Sequence, residues 1–170
     1  MSSEPASPSE TWYWQRTWDY FRHGDARVRL IWPGGEGVLR LYDAGVPDTV
    51  AAFLDRLPLD LPVVHVAWSG DMVMGAEAVP LAIAAEENRV RLVRPGDLAY
   101  DPKHGEVTLT YGTAEARLPS GPNTLTVIGT LCQGLPAFAL WARARRFEGV
   151  GTLRFERLTT EAAGQEERGA

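Results

Sequence analysis

The side chains able to move protons or hold a ligand lie between His65 and Tyr111. His65 is an imidazole inside an apolar run, VVHVAW, and histidine exchanges protons near neutral pH, so it is a candidate acid or base; the same surroundings suit a hydrogen-bonded core histidine. Asp97 follows Gly96 and is the second acid–base candidate, although an aspartate beside a glycine also caps turns. Trp68 and Ser69 sit at a strand end, with Met72 and Met74 on the returning strand. An indole beside flexible, polarisable thioethers suits an adaptable apolar groove, and suits ordinary core packing equally well. Tyr100 and Tyr111 could supply hydroxyls at the groove's rim or pack at the mouth of the fold. The ligand-binding candidates are therefore Trp68, Ser69, Met72, Met74, Tyr100 and Tyr111, and the catalytic candidates are His65 and Asp97.

Other chemistries lack their residues. His23, His65 and His104 are scattered and no His-x-x-x-His or Cys-x-x-Cys pair occurs, so no metal is expected; a metal site would have to be assembled in three dimensions from distant carboxylates. There is no phosphate-binding glycine loop and no G-x-S-x-G. The lone cysteine, Cys132, lies in a run with the composition of a buried strand, so a nucleophilic hydrolase has no anchor. No cofactor is implied.

Composition narrows the partners. The chain of 170 residues carries a net charge of −5, which argues against nucleic acid, even though all but one of its 17 basic residues are arginine. A single cysteine cannot form an internal disulfide, and neither a signal peptide nor a membrane span is visible, so the expectation is a cytoplasmic protein with no membrane partner.

The stretch that must position these groups is GVLRLYDAGVPDTVAAFLDRLP, residues 37–58, where alternation passes directly into helical spacing. Leu39 and Leu41 share one face of a strand and Arg40 the other. Pro47 then suits a first helical turn, because its φ is already set and its missing N–H would have no partner there. Val46, Val50, Phe53, Leu54 and Leu57 form one apolar stripe down to Pro58.

Around it, short β-rich runs occupy residues 26–32, 62–69, 72–79, 90–93, 97–100, 106–111, 113–118, 125–131 and 150–158, the first pairing with the strand at Val38 as a hairpin. Residues 82–89 read as a surface loop or short helix. A second helix starts at Pro136, with Leu135, Phe138, Trp141 and Ala142 on its packing face and Arg143, Arg145 and Arg146 at the end where cations are favoured. Many short strands with two helices and no αβ alternation describe a closed antiparallel barrel of about eight strands, since closure leaves no exposed edge, with one helix capping each end. Residues 1–11 and 159–170 read as polar, disordered tails on a single domain, 12–158. The arm from Trp12 to Phe21 carries too many aromatics for a solvated tail, so it covers the barrel, joins subunits through Trp12, Trp14 and Trp18 in a homo-oligomer, or stacks on a ligand.

Two segments resemble the cyclophilins. Gly37 to Leu41, then Val46, Pro47, Thr49 and Phe53, match their strand, V-P-x-T turn and helix; Val127, Ile128, Gly129, Leu131, Gly134 and Leu135, then Gly149 and Gly151, match their ending. The resemblance implies a cyclophilin-like barrel. It does not carry over the prolyl isomerase site: Val66 follows His65 where those enzymes place their arginine, Leu125 stands in the place of a histidine, and the strand from Met72 to Val79 has no glutamine. An apolar side chain cannot donate to a twisted amide, and one positioned donor contributes about 2–4 kcal/mol of barrier lowering. The middle is more similar to small bacterial and archaeal proteins of unknown function with the same barrel, through Ala67–Gly70, Gly96–Pro102, Tyr111 and Gly112. The function expected is binding of a small apolar or peptide-like ligand in a groove; an enzyme of unassigned reaction, or a structural oligomer, is the alternative.

Overall fold

A computed structural model describes residues 20–158, so the expectations for both tails and for Trp12, Trp14 and Trp18 lie outside the described residues. Eleven strands and two helices follow in the order β1 (Arg27–Trp32), β2 (Gly35–Leu41), α1 (Pro47–Leu54), β3 (Leu59–His65), β4 (Gly70–Gly75), β5 (Arg89–Val90), β6 (Asp97–Asp101), β7 (Glu106–Ala114), β8 (Arg117–Leu118), β9 (Gly121–Pro122), β10 (Leu125–Gln133), α2 (Leu135–Glu148) and β11 (Gly151–Arg157). Eight of them run β2-β1-β11-β3-β4-β7-β6-β10, and β10 then pairs antiparallel with β2, closing the barrel. β5 adds to β10, while β8 and β9 form a separate small hairpin.

Alternation sets the inside. Val28 and Leu30, Leu39 and Leu41, Leu61 and Val63, and Leu153 and Phe155 are buried on strands whose intervening residues reach water. The helices complete this core and cap the barrel. Pro47 opens α1, whose Val50 and Phe53 are fully buried, Phe53 meeting Phe155 edge to face at 5.5 Å. Pro136 lies in the first turn of α2, and Phe138 packs against Trp32 at 5.4 Å. Among the described residues no helix is long and apolar enough to cross a membrane.

Several boundaries differ from the sequence expectation; β3 ends at His65 and β4 runs from Gly70 to Gly75. β3 begins at Leu59 rather than Pro62, because Leu59–Val63 pair with β11. The run 113–118 is not one strand: β7 continues to Ala114 through Gly112, whose missing side chain lets Asp71 lie against the backbone and accept from Thr113 N at 3.1 Å. Of the two forms expected for residues 82–89, the loop is the one present, and it leads into β5.

The closing seam leaves little room. A Cβ on Gly129 would come within 2.7 Å of Arg40 O and 2.8 Å of Leu41 Cδ2 across the β10–β2 pairing. Replacing Gly129 with Ala should therefore lower stability by about 1–3 kcal/mol through overpacking, read as a lower urea midpoint with an unchanged slope.

Candidate functional site

Strand pairing assembles one recess on the outside of the barrel. The β3–β4 turn supplies Val66, Trp68 and Ser69, β4 supplies Met72 and Met74, the β6–β7 hairpin supplies Asp101, Glu106 and Thr108, and the segment after β7 supplies Arg117, Leu118, Asn123 and Leu125. The recess is shallow and open to solvent: its cavity volume is about 20 Å3, room for about one or two water molecules, so a larger ligand would lie across its mouth. Trp68 is 39% exposed, a large apolar surface facing water at the rim. Ser69 is buried and fixes the opposite loop: its Oγ donates to Arg117 O at 3.3 Å, and its own carbonyl accepts from Glu115 N at 2.9 Å.

Asp101 anchors the polar end. Its Oδ1 accepts from Lys103 N at 2.9 Å and its Oδ2 from Asn123 Nδ2 at 2.8 Å and His104 Nδ1 at 3.1 Å. Burial would raise its pKa, but the bonds from His104, Asn123 and Lys103 outweigh that and hold the carboxyl below its ordinary value. Glu106, opposite Asp101 in register, has no such donors. Burial pushes its carboxyl above the ordinary range, the His104 charge pulls against this, and the neighbouring Asp101 charge, the weakest of the three, adds to the rise.

Four of the six sequence candidates, Trp68, Ser69, Met72 and Met74, line this recess; Tyr100 and Tyr111 do not. The Tyr100 hydroxyl is buried, donating to Val79 O at 3.0 Å and accepting from Leu81 N at 3.2 Å, so it holds the 76–88 loop rather than a groove rim. Tyr111 joins His65 in a second cluster. Its hydroxyl and His65 Nε2 are 2.9 Å apart, Arg146 Nε of α2 donates to the same nitrogen at 3.0 Å, and Arg146 also donates to Asp71 Oδ1 at 2.7 Å. Because Arg146 can only donate, Nε2 is an acceptor, which places the His65 proton on Nδ1 and makes the Tyr111 hydroxyl a second donor. Burial lowers the His65 pKa and the Arg146 charge lowers it further, Asp71 opposing; burial raises the pKa of Tyr111. His65 is thus a neutral acceptor tied to side chains, away from the recess.

Asp97 has a different setting again. It is 1% exposed, bound by Arg22 at 2.6 and 3.0 Å and by Arg94 N at 2.8 Å, which ties the segment before β1 to the start of β6.

The sequence reading did not single out Asp101, Glu106, Thr108, Arg117, Leu118 or Asn123. The available signal was the D-P-K-H-G-E hairpin, with one carboxylate on each flank and a histidine between. Asp101, His104 and Glu106 bring one potential ligand atom each to within 4.8 Å of one another, so the only grouping of this kind among the described residues comes from one hairpin and not from distant carboxylates.

Residues 32–156 match the family described as "Protein of unknown function (DUF3830)", and the chain belongs to that family. Among solved structures it is similar to McbB, whose structure was determined in complex with tryptophan, at 16% identity and a TM-score of 0.63; the match covers 76% of this chain and 44% of McbB, so this chain spans less than half of that protein. It is also similar to the hypothetical protein AF2241 from Archaeoglobus fulgidus, at 23% identity and a TM-score of 0.51, covering 81% of this chain and 98% of that one. These likenesses show the fold. No curated protein matches the chain.

Three outcomes follow from these polar groups. Since folding lowers the His65 pKa, the unfolded chain takes the proton first as pH falls through about 6.5, and the native state loses stability from there downward. In Arg146→Met the His65 titration, followed by NMR, should move up yet stay below the ordinary value, because burial remains. Removing one partner of a buried ion pair leaves the other uncompensated, so Asp97→Ala should cost about 3–5 kcal/mol in denaturant unfolding.

Proposed function

We propose that this member of a family of unknown function is a cyclophilin-like barrel that binds a small apolar or peptide-like ligand in the recess beside Trp68. The observation that carries this is the grouping of a partly exposed indole with Met72, Met74, Leu118 and Leu125 around one shallow recess open to solvent. Exposed tryptophan beside thioethers gains free energy when an apolar group covers it, and Ser69, Arg117 and Asn123 offer polar contacts to orient what is bound. The tryptophan bound by McbB, a protein with a related fold, supports a ligand of aromatic character.

A second reading, catalysis of an isomerase or hydrolase type in the same recess, is favoured by Arg117. The sequence departs from the prolyl isomerases by lacking their arginine after the histidine, yet Arg117 of β8 is among the residues that line the recess. It shares Glu115 with Arg91, at 3.8 Å from Arg117, so the pairing is loose and the donor available to a carbonyl.

Titration with tryptophan and with short X-Pro peptides, followed by NMR shifts, should perturb Trp68, Met72, Met74 and Leu125. Trp68→Ala should weaken binding at least about tenfold, or about 1.4 kcal/mol, with little change in stability because the side chain is partly exposed. Shifts confined to other surfaces would overturn the assignment. A protease-coupled isomerisation assay with Arg117→Ala separates the two readings: turnover of an X-Pro peptide lost in that variant supports catalysis.

A further inference from the structure

Two polar groups in the recess are without a partner. The Glu106 side chain makes no hydrogen bond or ion pair among the described residues, although it is half-buried on the recess wall. The Thr108 hydroxyl is buried with no hydrogen-bond partner, on a residue only 4% exposed that lines the same recess. Glu106 and Thr108 are two apart on β7, so their side chains leave the same face of the strand. None of the surrounding donors is bonded to Glu106, and the Arg117 guanidinium is directed to Glu115, at 3.8 Å. Lys103 Nζ is turned to Asn123 Oδ1 at 3.1 Å, while Asn123 Nδ2 and His104 Nδ1 both serve Asp101. Two carboxylates therefore meet at this end of the recess, and among the described residues no ammonium or guanidinium is bonded to Glu106.

We infer that the Glu106–Thr108 edge is the anchor for a protonated amine, so the recess takes small amines whose apolar body lies on Trp68, Met72 and Met74. The inference rests on the recess being a ligand site. An ammonium offers three donors, enough for the Glu106 carboxylate and the Thr108 hydroxyl without disturbing any existing bond. A divalent cation on Asp101, His104 and Glu106 is the competing occupant. It would have to displace His104 Nδ1 and Asn123 from the Asp101 carboxylate, whereas the amine uses only atoms that are unengaged.

The test uses the full chain with tryptamine, N-acetyltryptamine and zinc ion as probes, measured by calorimetry and by NMR shifts of the recess residues. Tryptamine should bind at least about tenfold more tightly than its N-acetyl derivative, which keeps the apolar body and loses the charge. Glu106→Gln should abolish that preference while leaving binding of the N-acetyl compound unchanged. Thr108→Val should reduce it too, with no loss of thermal stability, since the hydroxyl it removes makes no bond in the free protein. Equal binding of the two probes, dependent on Trp68, would overturn the amine anchor and leave the recess standing as a ligand site. Binding of neither at the recess overturns both conclusions. Zinc binding lost in His104→Ala, with no preference for tryptamine, overturns the anchor in favour of a metal.

Discussion

The pairing of β10 with β2 is the constraint on which the rest depends. Without it the sheet would be an open ribbon, with β2 and β10 as edges and the apolar faces of eight strands uncovered. With it, one side of every strand is assigned to the core and the other to the outside. The seam tolerates this only because it is built with glycine. Gly129 lies against the Arg40 carbonyl, and Gly37 lets the Gln133 carbonyl approach on the same pairing. The bulge between Leu131 and Gln133 then turns the chain out of the sheet into Gly134, whose positive φ leads into α2.

That assignment of faces separates the two polar clusters. On β7 the residues alternate, so Val107, Leu109 and Tyr111 turn one way and Glu106, Thr108 and Thr110 the other. Register carries the division across the sheet: Val73 pairs with Leu109 and with His65, whereas Met74 pairs with Thr108 and Met72 with Thr110. His65 and Tyr111 therefore belong to the core side, at the end where Arg146 of α2 covers them. Met72, Met74, Glu106 and Thr108 belong to the outer side, under the loop from Glu115 to Asn123. No side-chain rearrangement can bring the histidine and the methionines into one site, because a one-residue slip would expose the whole core face.

This explains what could be recognised from the residues and what could not. The hairpin at Trp32–Gly35, the proline-initiated helices and the alternating strands depend on neighbours within a few positions, and their patterns are visible in the chain. Trp68, Ser69, Met72 and Met74 were also recognisable, because one tight turn holds them together. Placing Tyr100 and Tyr111 in the same groove needed the β6–β7–β4 register, which no local pattern contains. Adjacency did offer one clue. Asp101 follows Tyr100, so on a strand the two must face opposite ways, and whichever face the tyrosine hydroxyl occupied the carboxylate would leave. Arg117 was hidden for another reason: it rides on a two-residue strand in a loop, and its position follows from the Ser69 bonds to that loop rather than from periodicity.

The two clusters differ in capacity as well as in place. Around His65 the acceptor nitrogen Nε2, the Tyr111 hydroxyl, the guanidinium and Asp71 bond to one another, so these groups are already engaged within the protein. Buried polar groups that pair internally stabilise and orient; those that do not are maintained at a cost, because burial without a partner is unfavourable. Thr108 carries that cost in a wall where the carboxylate of Asp101 is bonded to Lys103 N, Asn123 and His104. Since Ser69 on one side and Asp101 with Asn123 on the other already hold the hairpin and the covering loop, Thr108 and Glu106 add nothing to keeping the recess in shape. Their energetic value lies in what enters it.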